Sequence, residues 1–162
     1  MNIGIFFGSD SGQTEAVANL IANKLNLTAQ DIQDCDDTSF DDYDLLILGT
    51  PTVNYGEMQP DWDYFVPTLE DMDLAGKKVA LFGLGDQVDY PDSFQDAMGD
   101  LAELIEQAGG ELVGFTSTES YQFNDSRAQR GEQFVGLALD ADRQSELTEA
   151  RIDAWLKQLQ LA

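Results

Sequence analysis

The run Gly8-Ser9-Asp10-Ser11-Gly12-Gln13-Thr14-Glu15 gathers hydroxyls and glycines with no Lys or Arg among them. It follows an apolar stretch and opens a helical one, so its backbone N–H groups fall at a helix N-terminus, where free amides and the helix dipole favour an anion. Ser9, Ser11 and Thr14 add hydroxyl donors to that ring. A Walker loop reaches the outer phosphates of a nucleoside triphosphate with a Gly-Lys pair, and no such pair is present. The loop therefore suits a terminal monophosphate. Asp10 must turn its carboxylate outward or cap a local N–H, because a charge facing a phosphate opposes binding by kilocalories. The plain alternative is a hydroxyl-rich helix cap with no ligand.

Two further segments carry comparable chemistry. Thr50-Pro51-Thr52-Val53-Asn54-Tyr55-Gly56-Glu57 and Leu84-Gly85-Asp86-Gln87-Val88-Asp89-Tyr90 each follow a short apolar run and supply an aromatic, glycine and polar backbone. In open parallel sheets, ligands bind beyond the carboxyl ends of the strands, which brings all three segments to one site. Tyr90 can cover one face of a planar ring, with backbone N–H and C=O groups of both loops at its polar edge. An ordinary half-buried loop tyrosine is the competing reading. Gly83-Leu84-Gly85 lacks the third glycine of a dinucleotide fingerprint and lies far from the first strand.

The chain contains one cysteine, Cys35, and no histidine. That excludes intrachain disulfides, Cys/His zinc sites, Ser-His or Cys-His nucleophilic pairs and histidine acid/base chemistry. Asp34, Asp36 and Asp37 disfavour a Cys35 thiolate, so no role is assigned to it. With 31 acidic and 8 basic residues the formal charge is −23. Such a charge repels nucleic acid and anionic membrane and favours basic protein surfaces. Solubility or adaptation to high salt would produce the same excess. Lys24 is the last basic residue before Lys77, and Lys78 the last before Arg127, leaving two long tracts without positive charge.

These loops need elements to position them. Asn2 to Phe7 predicts a buried strand, and Val17, Leu20, Ile21, Lys24 and Leu25 recur at helical spacing. Thr28 to Ile32 predicts a strand, and Leu45 to Gly49 and Val79 to Gly83 predict buried parallel ones. Asp61 to Leu69 reads as a helix entered through Pro60. Phe94, Ala97, Met98, Leu101, Leu104, Ile105 and Ala108 keep a helical period that Gly109 and Gly110 end. Glu111 to Phe115 and Phe134 to Leu139 read as strands separated by a long polar loop, 116–133. Thr148 reads as the cap of a last helix, Leu147 and Ile152 as its hydrophobic staple, and Trp155, Leu156 and Leu159 as its buried face. Alternating strands and helices imply an α/β fold with a parallel sheet covered on both sides. At 162 residues the chain is expected to form one domain, 1–162. With no apolar run long enough to span a bilayer and no basic leader with a cleavage site, a soluble cytoplasmic protein is expected.

Taken together, Ser-Asp-Ser-Gly-Gln-Thr, Thr-Pro-Thr-Val-Asn-Tyr-Gly-Glu and Gly-Asp-Gln-Val-Asp-Tyr resemble the flavodoxins, over nearly the whole chain. Loop 116–133 resembles the insertion that splits the fifth strand in the long-chain members. Asn124-Asp125-Ser126 and Phe134-Val135-Gly136-Leu137-Ala138-Leu139-Asp140 are similar as well. The resemblance implies a flavodoxin-like three-layer sandwich with a five-stranded parallel sheet in order 2-1-3-4-5 and FMN at its switch point, an architecture for which flavodoxin itself is a reference example. It implies that Ser9, Asp10, Ser11, Gly12, Gln13 and Thr14 hold the FMN phosphate. Tyr90 would stack on the outer ring face, and Leu84, Gly85, Asp86, Pro51, Thr52, Val53, Asn54, Tyr55 and Gly56 would line the ring. On reduction the Asn54-Tyr55 peptide would turn its C=O toward flavin N5–H, a movement that Gly56 eases. Ser11 stands where the family often has Thr, which keeps the hydroxyl. Val53 stands where many long-chain members place Trp, which leaves the inner ring face without its aromatic.

The implied function is that of a low-potential one-electron carrier with non-covalently bound FMN, shuttling electrons between redox proteins. Basic surfaces such as that of a ferredoxin/flavodoxin-NADP reductase are the expected partners, and a monomer is the expected state. A carboxylate about 12 Å from an anionic reduced flavin costs roughly 0.3 to 1.4 kcal/mol as ε falls from 80 to 20. Glu57, Asp61, Asp63, Asp86, Asp89 and Asp92, in or just after the ring loops, would lower the potential and steer basic partners. Two alternatives stand beside this reading. An FMN-dependent NAD(P)H:quinone oxidoreductase would need a substrate pocket over the ring. A response-regulator-like module would need paired acidic residues after the first strand, and the chain lacks them.

Overall fold

In the computed structural model, which describes residues 1–161, strands and helices alternate much as the apolar periodicity predicts. The elements are β1 (Ile3–Phe7), α1 (Gln13–Leu25), β2 (Ala29–Asp31), β3 (Leu45–Val53), β4 (Glu57–Met58), α2 (Pro60–Glu70), β5 (Lys78–Leu84), α3 (Asp96–Gln107), β6 (Glu111–Val113), β7 (Thr116–Ser117), β8 (Gln129–Arg130), β9 (Gln133–Phe134), β10 (Leu137–Leu139) and α4 (Thr148–Gln158).

β2, β1, β3 and β5 lie side by side and parallel. The fifth position is shared. β6 pairs with the first half of β5, from Lys78 opposite Glu111 to Ala80 opposite Val113, and β10 with the second half, from Phe82 opposite Leu137 to Leu84 opposite Leu139. The sheet thus has the flavodoxin-like order, with its last strand in two pieces.

Strand residues alternate between two apolar layers, as a sheet buried on both faces requires. Phe6, Leu46, Leu48, Val79 and Leu81 face the layer that holds Trp62, Phe65, Met98 and Leu101 of α2 and α3. Ile5, Phe7, Ile47, Ala80 and Phe82 face Val17, Ile21, Ile152 and Trp155 of α1 and α4. Crossover helices on opposite faces leave the carboxyl ends of β1, β3 and β5 free to carry loops.

Two local expectations need correction. The segment between the halves of the fifth strand is not an unstructured loop. β7, β9 and β8 make a small antiparallel sheet. Phe134 packs 5.8 Å from Phe94, 5.0 Å from Tyr121 and 5.4 Å from Phe123, and this aromatic cluster supplies the burial that orders the segment. Thr148 does not cap α4: it is already the first helical residue, Leu147 sits at the cap without a side-chain bond, and a 3-10 turn, Ser145–Leu147, precedes it. The turn makes its own i→i+3 bonds and leaves the threonine no orphan N–H to capture.

Candidate functional site

The β1–α1 loop is shaped by what lies beneath it. Gly8 donates its N–H to the Gly49 carbonyl at 3.1 Å, and Trp62 Nε1 donates to the same oxygen at 2.9 Å. A Cβ on Gly8 would collide with the Gln59 side-chain oxygen and lie 2.6 Å from the Trp62 ring. Glycine is required because the loop crosses directly over the start of α2. Ser9 Oγ accepts from Gly12 N–H at 3.0 Å, and Gly12 holds φ +92°, which turns the chain into α1. Among the described residues the N–H groups of Ser11, Thr14 and Glu15 have no acceptor, so donors converge at the helix N-terminus.

Asp10 meets the constraint expected of a carboxylate beside an anion site. Its Oδ1 accepts from Gln59 Nε2 at 3.1 Å. Gln59 is fully buried and also donates to Asp61 Oδ2 at 2.8 Å, while its Oε1 caps α2 by accepting from Trp62 N–H. One glutamine therefore draws the carboxylate toward α2 and fixes the helix that supports the loop.

The chain after β3 turns sharply at residues 54–56 and returns as β4, with Val53 opposite Glu57. Asn54 at φ 50° and Gly56 at φ 103° are both left-handed, which permits so tight a reversal. Tyr55 stands at its tip, 84% exposed, with its ring edge against Tyr90 at 5.5 Å between centroids. The loop after β5 is fixed from within. Asp86 Oδ1 accepts from Val88 N–H at 2.9 Å and Asp89 N–H at 3.0 Å, and Tyr90 N–H donates to the Asp86 carbonyl. Buried Asp140 accepts from Gln87 N–H and Nε2, which secures the same loop to the end of β10.

A cavity of about 240 Å³ at this edge is lined by Asp10, Ser11, Gln13, Pro51, Thr52, Val53, Leu84, Gly85, Asp86, Tyr90 and Asp142. All of these except Asp142 were expected from sequence. Ser9, Gly12 and Thr14 shape the loop beside it, and Asn54, Tyr55 and Gly56 form the neighbouring turn. A wider groove of about 680 Å³ lies elsewhere, between the insertion and α4. None of the loops after β1, β3 and β5 lines it among the described residues, and the chemistry favours the smaller cavity.

Sequence reasoning missed Gln59, Asp142 and two arginines. Asp142 follows β10, and the rule that selected the other carboxyl-end loops reaches it too. Arg143 Nε donates to Asp86 Oδ1 at 3.1 Å and its Nη2 lies 3.0 Å from Asp89 Oδ1. Arg127 pairs with Asp96 and Asp100 beside the turn. The acidic loops are therefore partly neutralised from distant parts of the chain. Burial pushes the Asp86 carboxyl up, but the N–H groups of Asp89 and Val88 and the Arg143 guanidinium outweigh it and leave the group below its ordinary value. At Asp96 burial prevails over the Arg127 N–H and guanidinium, and the carboxyl is raised. Burial and the charges of Asp34, Asp31 and Asp36 raise the Cys35 thiol, although Ser39 opposes them.

Residues 5–155 match the family model Flavodoxin. A flavodoxin of Nostoc sp. is 49% identical over 160 residues, spanning 97% of this chain and 94% of that protein. Flavodoxin 1 of Escherichia coli is 49% identical over 160 residues, spanning 96% and 91%. Among solved structures, the flavodoxin of Fusobacterium nucleatum bound to flavin mononucleotide aligns with a TM-score of 0.93 at 32% identity, covering 99% of this chain and 98% of that one.

Proposed function

The chain belongs to the flavodoxin family of FMN-binding electron carriers, and from that premise we propose that the edge formed by the loops after β1, β3 and β5 holds FMN for low-potential one-electron transfer. The observation that carries this reading is the conjunction of unpartnered amides at the N-terminus of α1 with a cavity bounded by Val53 and Tyr90. The donor set fits a phosphate monoester: hydroxyls of Ser9, Ser11 and Thr14, free backbone N–H groups and no cation. A dianion there is favoured by the helix dipole, and Gln59 keeps Asp10 from opposing it.

When bound, FMN supplies the one-electron chemistry, which the protein tunes by hydrogen bonding and charge. Tyr90 would cover the outer face of the ring and Val53 the inner one. The Asn54–Tyr55 peptide would offer its unpartnered carbonyl and N–H to the reducible edge. Gly85 keeps the backbone low where a Cβ would stand 3.1 Å from Phe94.

Redox proteins are the partners of this family. For this chain we infer a partner with a basic docking face, because Glu57, Asp63, Asp89 and Asp92 are exposed around the site. No described helix is long and apolar enough to cross a membrane. The test is a fluorescence titration of FMN into the cofactor-free protein. Stoichiometric quenching that riboflavin, lacking the phosphate, reproduces only weakly is expected. Equal affinity for the two flavins would remove the phosphate loop from the binding site.

A further inference from the structure

We propose that Arg127, contributed by the insertion, is a positioning residue for the turn at residues 54–56 and thereby sets the gap between the two one-electron midpoint potentials of bound FMN. The inference rests on the reading of that turn given above. Arg127 Nη2 donates to the Gly56 carbonyl at 2.7 Å across 71 residues of sequence. The guanidinium is itself held. Nε donates to Asp100 Oδ1 and Nη2 to Asp100 Oδ2, each at 2.8 Å, and Nη1 lies 3.1 Å from Asp96 Oδ2. Bidentate pairing of this kind fixes orientation as well as distance. The backbone joins in, since Arg127 N–H donates to Asp96 Oδ1 at 2.6 Å. Gly99 of α3 lies so close to the Arg127 carbonyl that a Cβ there would overlap it.

The turn is therefore tied at both ends to one rigid body. At its entrance Thr52 Oγ1 accepts from Ala97 N–H at 3.1 Å, and at its exit Arg127 holds Gly56. Between them, the Asn54 carbonyl and the Tyr55 N–H have no hydrogen bond among the described residues. Only the tip peptide is left to reorient. A tether at the exit limits how far the rest of the turn follows, so it alters the relative cost of the oxidation states that prefer different tip orientations.

Charge alone makes a different demand. Removing a cation disfavours electron addition at both steps and shifts both potentials the same way. Arg127→Lys separates the two effects, because it keeps the charge and loses the planar fork. In both Arg127→Lys and Arg127→Met, spectroelectrochemical titration should show the gap altered by an equilibrium factor of at least about three, or about 28 mV for a one-electron couple. Hydrogen exchange across residues 54–58 of cofactor-free Arg127→Lys should be at least about threefold faster than in the wild type. Asp100→Asn, which loosens the fork from its more exposed partner, should change the gap in the same direction and by less. A wild-type gap and wild-type exchange in Arg127→Lys would overturn the inference while FMN binding stands. A wild-type protein that takes up no FMN would overturn both readings.

Discussion

At the scale of single residues, Val53 is the departure with the clearest consequence. It lines the same cavity as a tyrosine that is 39% exposed, where an aromatic would add stacking. Such a contact contributes about 0.5–1.5 kcal/mol beyond area burial. Val53→Trp should therefore bind FMN about twofold to tenfold more tightly in a fluorescence titration. Marked weakening would place Val53 away from the ring. Glycine at position 8 has an equally local cause, since Gln59 and Trp62 occupy the volume that a side chain would need. The β1–α1 loop is thus built from below as much as from its own hydroxyls.

At the scale of elements, α3 couples the insertion to the ring loops, and Gly99 tests that coupling. Inside an α-helix, Gly→Ala gains about 1 kcal/mol of propensity. Here the new Cβ would overlap the Arg127 carbonyl and lie 2.6 Å from the Ala128 nitrogen, and backbone yields less readily than a side-chain tip. Overpacking costs about 1–3 kcal/mol, so Gly99→Ala should lower the urea midpoint of the cofactor-free protein despite its better propensity. A raised midpoint would show that the insertion moves freely over the helix.

The same helix supplies a pH test. Asp96 is raised above its ordinary 3.8, so the folded state holds its proton longer. Its contribution to stability is full below 3.8 and lost as pH rises through the folded pKa. Asp86 is lowered, so its contribution is present above 3.8 and lost as pH falls through the folded pKa. In urea titrations across the acidic range, Asp96→Asn should steepen the rise of stability with pH above 3.8. Asp86→Asn should flatten the rise below 3.8. Identical slopes in the two variants would contradict the opposed environments.

At the scale of the whole molecule, a charge of −23 sets self-repulsion against a few ion pairs. Lys24, Arg127, Arg130 and Arg143 form the ion pairs among the described residues, and most have a partner more than a third exposed. Exposed pairs contribute about 0–1 kcal/mol each. Raising salt from about 0.01 M to about 1 M shortens the Debye length from about 30 Å to about 3 Å and screens the repulsion. The melting temperature of the cofactor-free protein should therefore rise with salt, while association with a basic redox partner slows. A falling melting temperature would mean that the ion pairs outweigh the repulsion.

Much of this protein is legible in one dimension because its causes are local. The proposed phosphate loop is marked by hydroxyls and glycines without a cation between a strand and a helix. The apolar runs of β1, β3 and β5 and the period of α3 follow from faces that must be buried. Local pattern ends where the partners lie far apart. The tracts 25–76 and 79–126 carry no Lys or Arg, yet Arg143 reaches Asp86 across 57 residues and Arg127 reaches Gly56 across 71. Gln59, the cap of α2, holds the Asp10 carboxylate of the β1–α1 loop across 49 residues. Thr148 loses its expected cap to a 3-10 turn, and segment 116–133 gains a sheet because distant rings, Phe94 among them, meet there. Which loops the proposed site draws on follows from residue order alone. Which charges those loops feel is decided only by folding, because a charge acts through distance in space and the fold sets that distance.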